Sequence, residues 1–241
     1  MYHLKIYKSS LLALVTLFAA TLLSACTGIV AAPPQPKVFE LKALTHLALG
    51  VAEQDVFVER AVGSGQVVRV LPGEEAELLD LPVYAASELV KHDLFGTSDA
   101  PIGPFEKGAD LGMTLGEWLS ATGQGTYSVT GSRAKIEMTL ENLVPNGVYT
   151  AWCSRVSFPP NGNAVDKACG AADGTENIFT ADADGNARFE LELAALPPSS
   201  AETSTTIAFA YHSDGKTYGG YPGDFGLNSH VQLAAPIPVA E

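Results

Sequence analysis

Basic residues are scarce in this sequence. It has 14 Lys and Arg residues against 27 Asp and Glu residues, which gives a formal net charge of −13. Such a surface repels phosphate backbones and anionic headgroups, so the composition argues against nucleic acid as a partner. Apolar residues make up 46% of the chain and charged residues only 17%, a balance that is typical of a globular protein and not of a disordered one.

Sequence motifs for catalysis and for tightly bound metals are also missing. There is no Gly-x-Ser-x-Gly element for an activated serine and no Cys-x-x-Cys pair for zinc. A blue-copper site needs Cys, His and usually Met near one another, yet no methionine follows Met138. The many acidic residues offer carboxylate pairs that the sequence cannot place in space. The sequence therefore assigns no catalytic residue and no cofactor.

A hydrophobic run long enough to cross a bilayer is absent as well. The apolar run over residues 11–23 has about thirteen residues, whereas a transmembrane helix needs roughly twenty. Lys5 and Lys8 precede this run, and small residues, Ser24 and Ala25, follow it. A positive segment, a short apolar segment and a small-residue cleavage site predict an export signal over residues 1–25.

The residues Leu23-Ser24-Ala25-Cys26 resemble the lipobox of bacterial lipoproteins, and this resemblance covers the first 26 residues. It implies that Cys26 is acylated and becomes the mature N-terminus, anchored on the outer face of the cytoplasmic membrane or in the outer membrane. One acyl chain binds a membrane only marginally, so durable attachment needs more than one chain. The proline-rich residues 26–37 then predict an extended tether. An ordinary secretory signal is the alternative.

The lipobox resemblance implies that Cys26 is acylated. Two of the three cysteines then remain available to form a disulfide. Cys153 ends a predicted strand, and Cys169 follows a loop rich in Pro, Asn and Gly. Oxidising conditions outside the cytoplasm allow a disulfide to persist. We therefore predict a Cys153–Cys169 disulfide, with two free thiols that bind a metal as the alternative.

Period-two alternation of apolar residues favours a mainly β fold. Seven strands separated by turn residues follow Gly125: TYSVTG, AKIEMTLENL, VYTAWC, ENIFTAD, NARFELELAAL, TTIAFAYH and SHVQLAA. This pattern predicts an antiparallel two-sheet β-sandwich of immunoglobulin-like type over residues 38–241. The absence of alternating strands and helices argues against a parallel α/β sheet. In an alternative organisation, residues 38–95 form a separate subdomain and the Gly/Pro-rich residues 96–112 are the boundary.

Two local motifs are placed within this fold. Thr114 and Glu117 have the spacing of a capping box, which predicts one short helix over residues 115–121 with Trp118 and Leu119 facing the sandwich. Residues 182–186 (DADGN) resemble part of a calcium loop but lack its full ligand spacing. We interpret them as a tight hairpin turn between two strands.

The segment over residues 211–233 has the highest density of polar and aromatic residues. His212 ends one predicted strand and His230 begins the next, so we expect them on neighbouring strands. Surface loops on a rigid scaffold are where binding sites usually lie. The candidate ligand-binding residues are His212, Asp214, Tyr218, Tyr221, Asp224 and His230.

Two functional hypotheses follow from these observations. The first is a lipid-anchored, non-catalytic module of the cell envelope that binds an extracytoplasmic ligand or protein or has a structural role. The second is a zinc or copper protein, or a metalloenzyme, that uses His212, His230 and either Asp214 or Asp224, since imidazole and carboxylate groups are suitable ligands. His46 and His92 are too distant along the chain to be placed beside this pair.

Overall fold

The computed structural model describes residues 35–51, 55–90, 102–159 and 162–238. The predicted signal peptide, Cys26, most of the tether and His92 lie outside these ranges. The described residues form thirteen strands and one α-helix: β1 (Lys37–Ala43), β2 (Phe57–Val58), β3 (Gln66–Arg69), β4 (Pro82–Ala86), β5 (Phe105–Thr114), α1 (Leu115–Leu119), β6 (Thr122–Thr130), β7 (Arg133–Glu141), β8 (Val148–Ser157), β9 (Asn163–Val165), β10 (Ile178–Thr180), β11 (Ala187–Ala194), β12 (Thr203–His212) and β13 (Ser229–Ile237).

Two antiparallel sheets form the sandwich. Sheet A has the strand order β1-β6-β7-β11, and sheet B has the order β10-β8-β12-β13 with β9 paired to β8. The chain forms β1, β6 and β7 in sheet A, then β8, β9 and β10 in sheet B, returns to sheet A for β11 and finishes with β12 and β13 in sheet B. This crossing pattern is the immunoglobulin-type arrangement. The predicted mainly β sandwich with one short helix is confirmed.

Alternating side chains build the core between the sheets. In β7, Ile136, Met138 and Leu140 are buried, and in β11 the same holds for Phe189 and its alternate neighbours. The Phe189 ring of sheet A meets the Phe209 ring of sheet B edge-on, with 5.8 Å between the ring centroids. Because successive side chains on a strand face opposite sides, each strand of sheet A presents one apolar face to sheet B.

Helix α1 begins at the predicted capping box. The Thr114 hydroxyl accepts a hydrogen bond from the Glu117 amide, and the Glu117 carboxylate accepts one from the Thr114 amide. Leu115 and Trp118 are buried, and the partly buried Leu119 packs against the same core. The helix ends at Leu119, two residues before the predicted end. Within the described ranges, no helix has the length and apolar character needed to cross a membrane.

The strands β2, β3, β4 and β5 lie between β1 and α1 in the sequence. They close into a small barrel in the order β2-β3-β5-β4. Strands β2 and β3 form an antiparallel hairpin around Gly63 and Gly65. Residues 105–112 of the Gly/Pro-rich segment lie in β5, so this part of the predicted boundary is a barrel strand. Glu59 is 6% exposed and forms a 3.0 Å ion pair with Lys107.

Residues 182–186 do not form a hairpin, which corrects the sequence-based interpretation. They connect β10, which pairs with β8 in sheet B, to β11, which pairs with β7 in sheet A. The Asp182 carboxylate accepts hydrogen bonds from the amides of Asp184 and Asn186. Turn residues of this kind favour a tight bend but do not specify which strands pair on either side of it.

Candidate functional site

The loop between β12 and β13 contains four of the six candidate residues. The Tyr218 hydroxyl donates a 2.8 Å hydrogen bond to Asp214, and burial together with this bond raises the pKa of Tyr218 to about 12. The Asp224 carbonyl oxygen accepts bonds from the Asn228 and Ser229 amides. Tyr221 is 58% exposed. The loop is thus held mainly by its own hydrogen bonds.

His212 and His230 lie on neighbouring strands but face opposite sides of sheet B. His212 pairs with Ser229, and His230 pairs with Tyr211. Since directly opposed residues share a face and successive residues alternate, the two imidazoles are on different faces. His230 is fully buried, and its Nδ1 lies 2.7 Å from the Asp55 carbonyl oxygen. It therefore links β13 to the segment that leads into the small barrel.

His212 is buried on the outer face of sheet B, the face turned away from sheet A. Its Nε2 lies 2.7 Å from the Thr150 hydroxyl, which also accepts a bond from the Trp152 indole nitrogen. Its buried Nδ1 has no hydrogen-bond partner among the described residues. Burial lowers the pKa of His212 to about 4, against a smaller opposing effect of the Asp214 carboxylate. His212 is therefore neutral at physiological pH.

We expect His212 to make the protein less stable in mild acid. The unfolded imidazole binds a proton below a pH of about 6.5, whereas the folded one does so only below about 4. Between these values the unfolded state binds more protons, so the free energy of unfolding falls as pH decreases, by at most about 1.4 kcal/mol per pH unit for one group. Urea unfolding of wild type and His212→Gln across this pH range measures the effect.

Other groups titrate in both proteins, including His230, whose pKa is also lowered by burial. The difference between the two pH curves therefore isolates His212. Parallel curves through this pH range would show that His212 does not titrate as described.

The described residues contain no group of three or more His, Cys, Asp or Glu side chains that could hold a metal ion. In addition, the side chains of His212 and His230 lie on opposite faces of sheet B. The hypothesis of a metal shared by these two imidazoles thus finds no third ligand in the ranges that the structure covers.

A groove of about 390 Å³ lies on the outer face of sheet B, and we call it the sheet-B groove. Its floor is made by alternate residues of three strands, among them Trp152 of β8, Ala208 of β12 and Val231 of β13. Phe225 of the β12–β13 loop forms part of one wall, and His46 lies beside the short 3-10 helix Leu47–Leu49 in another. The lining is mainly apolar.

Small side chains on β12 create this groove. Ala208 is directly opposite Trp152 on β8 and opposite Ala234 on β13, so two alanines follow the indole in one row across the sheet. Short side chains leave space above a sheet that larger ones would fill. The indole nitrogen of Trp152 bonds Thr150 and through it contacts His212, which connects the groove floor to a predicted site residue.

One carboxylate borders the groove. Asp166 follows β9, and its Oδ1 accepts a 2.5 Å hydrogen bond from the hydroxyl of Ser154 on β8. Of the described residues that line the groove, Asp166 is the only Asp, Glu, Lys or Arg. It takes part in none of the ion pairs found among the described residues.

Sequence reasoning did not find Trp152 or Asp166 as site residues. A usable signal was present in β12, where Ser204, Thr206 and Ala208 put small side chains on one face. His46, which seemed too distant along the chain, lies in the groove wall because Leu44 forms a bridge with Ala234 of β13.

The predicted disulfide is present and borders a second groove. Cys153 and Cys169 are bonded, with 5.0 Å between their Cα atoms. The second groove lies beside them and includes Arg155. The Arg155 guanidinium donates to the Pro198 carbonyl and to the hydroxyls of Thr203 and Thr205. These bonds give Arg155 a structural role in fixing the segment before β12.

Comparison of the chain with protein-family models gives no match, and comparison with curated proteins gives none either. The function is therefore argued from the geometry of the site.

Proposed function

We propose that this protein is a non-catalytic binding module of the cell envelope, attached to a membrane through lipid on Cys26, which binds a small, mainly apolar molecule in the sheet-B groove. The observation that carries the proposal is the groove itself. Its volume of about 390 Å³ falls within the range of about 300–1,000 Å³ that is usual for ligand sites.

The chemistry of the groove supports binding over catalysis. Its lining is mainly apolar with a few polar groups, which is the usual composition of a small-molecule site, and the sequence assigns no catalytic residue to it. Trp152 is held by its bond to Thr150 and is 2% exposed. A floor built on three hydrogen-bonded strands is rigid, so little conformational entropy is lost when a ligand binds.

Filling the groove is expected to weaken binding strongly. Ala208→Phe places an aromatic ring above the floor opposite Trp152, and we expect the affinity for a neutral aromatic probe, phenethyl alcohol, to fall about tenfold or more because its space is taken. Tryptophan fluorescence reports binding, since Trp152 lines the groove while Trp118, the other tryptophan, belongs to the main core and does not line it.

Ala183→Phe is the matched control, because Ala183 is exposed in the turn before β11 and lines neither groove. We expect this variant to bind the probe as the wild type does. If phenethyl alcohol does not bind the wild type, or binds Ala208→Phe equally well, the sheet-B groove is not a small-molecule site.

A further inference from the structure

We infer that the ligand of the sheet-B groove has a positively charged group that contacts Asp166, next to an apolar body that lies against the apolar lining of the groove. This inference rests on the proposed function and specifies the chemistry of its ligand. It depends on one contact, the bond from Ser154 to Asp166, and on two absences among the described residues: no ion pair includes Asp166, and no Lys or Arg lines the groove.

The Ser154–Asp166 bond fixes the carboxylate at the groove. Ser154 is 5% exposed and lies on β8, two residues beyond Trp152 on the same face. Its hydroxyl donates to Oδ1 of Asp166, which leaves Oδ2 able to accept from a ligand. Asp166 itself is half-buried. A charged acceptor is therefore held in place at one side of an otherwise apolar surface.

Burying this carboxylate beneath a neutral ligand is unfavourable. A charge that loses its water without gaining a partner raises the free energy of the complex. No described Lys or Arg lines the groove to compensate, so the compensating charge has to come from the ligand. An ammonium or guanidinium group supplies both the charge and a hydrogen-bond donor.

The rest of the groove selects an apolar body of modest size. Phe225 is partly exposed and offers an aromatic surface, whereas Trp152 is 2% exposed, and aromatic faces also attract cations held near them. The net charge of −13 raises the local concentration of cations around the protein. Organic amines with one apolar group satisfy all of these features, whereas organic anions of the same shape meet repulsion from Asp166.

Three probes of similar shape separate charge from shape: phenethylamine, phenethyl alcohol and hydrocinnamate, which are positive, neutral and negative near neutral pH. We expect the full-length wild-type protein to bind the amine about tenfold or more tightly than the alcohol, and the carboxylate most weakly, because one charge-assisted hydrogen bond distinguishes them. Tryptophan fluorescence titration gives the three dissociation constants, and added salt should reduce the preference.

Asp166→Asn keeps the shape of the side chain and removes its charge. We expect it to bind the amine and the alcohol with nearly equal affinity while its affinity for the alcohol stays close to that of wild type. Asp166→Ala serves as a second variant if the first does not fold. The matched control is Asp184→Asn, since Asp184 is exposed in the turn before β11, and it should keep the full preference for the amine.

The outcomes distinguish this inference from the proposed function. If phenethyl alcohol binds but the amine binds no better, or if Asp166→Asn keeps the preference, the cationic ligand is wrong and the apolar groove remains. If none of the three probes binds, the proposed function fails and this inference fails with it. Sedimentation that shows a dimer dissociated by Ala208→Phe would mean that a second copy occupies the groove, which also overturns the inference.

Discussion

Cys153→Ser is expected to lower the free energy of unfolding by about 2–4 kcal/mol. The disulfide joins residues separated by 16 positions, and closing a loop of that size restricts the unfolded chain by roughly 3 kcal/mol in the chain-entropy model. It also fixes the segment that follows β9 against β8, where Cys153 donates a backbone bond to Lys167. Urea unfolding under non-reducing conditions measures the loss.

In the single variant Cys169 keeps a free thiol that could react. The double variant Cys153→Ser/Cys169→Ser removes this thiol, and we expect it to lose a similar amount of stability. A reductant should lower the free energy of unfolding of the wild-type protein by a comparable amount. Cys169 is fully buried, so alkylation of its thiol in the single variant should proceed only as fast as the protein unfolds. Equal stability of wild type with and without reductant would show that the bond does not stabilise the fold.

Cys26→Ala is expected to release the protein from the membrane fraction. The lipobox-like residues imply that Cys26 is the acylated position, and each buried methylene of an acyl chain contributes about 0.8 kcal/mol to membrane binding. Without lipid, the proline-rich tether offers no comparable apolar surface. Fractionation of cells, followed by mass spectrometry of the N-terminal peptide, measures both the location and the modification.

Thr27→Ala is the matched control, because it changes the neighbouring residue and leaves the cysteine in place. We expect it to remain acylated and membrane-bound. A Cys26→Ala protein that stays in the membrane fraction after its signal is cleaved would refute the lipid anchor. Denatured, unreduced wild-type protein gives a second measure, since acylation of Cys26 together with the Cys153–Cys169 bond leaves no free thiol.

Local patterns in the sequence were sufficient for seven of the nine sandwich strands, β6–β8 and β10–β13, but not for β1 and β9. A strand with one face in the core places apolar residues at every second position, as Ile136 and Met138 do in β7. The capping box was also predictable, because Thr114 and Glu117 satisfy one another within a single helical turn. Such features depend on near neighbours only.

The small barrel could not be predicted in this way. Strand β2 has only two residues, and β5 contains Gly108 and Gly112 within a segment whose composition indicates loops. Its strands are specified by closure of the barrel, for which the Phe57 and Phe105 rings pack edge-on at 5.4 Å. Contacts between distant segments are not visible in local periodicity.

The site was predicted only in part, for a similar reason. His212 and the β12–β13 loop do border the outer face of sheet B, and Phe225 of that loop lines the groove. The floor, however, combines Trp152 and Ala208 from separate strands, and Asp166 reaches the edge of the groove through Ser154. The density of polar residues was enough to predict the loop as a candidate site. The groove could not be predicted in this way, because its concave surface forms where small side chains of several strands meet.

Strand β1 makes the order of synthesis important for this fold. It pairs along its length with β6, and Leu44 just beyond it exchanges backbone hydrogen bonds with Ala234 of β13, the last strand. A growing chain therefore has β1 available long before either partner, with nearly the whole described sequence still to come. Pairing over such separations is slow, and an unpaired strand attracts other chains. The newly made protein thus has an aggregation-prone interval, during which β1 stays unpaired until β6 has been made.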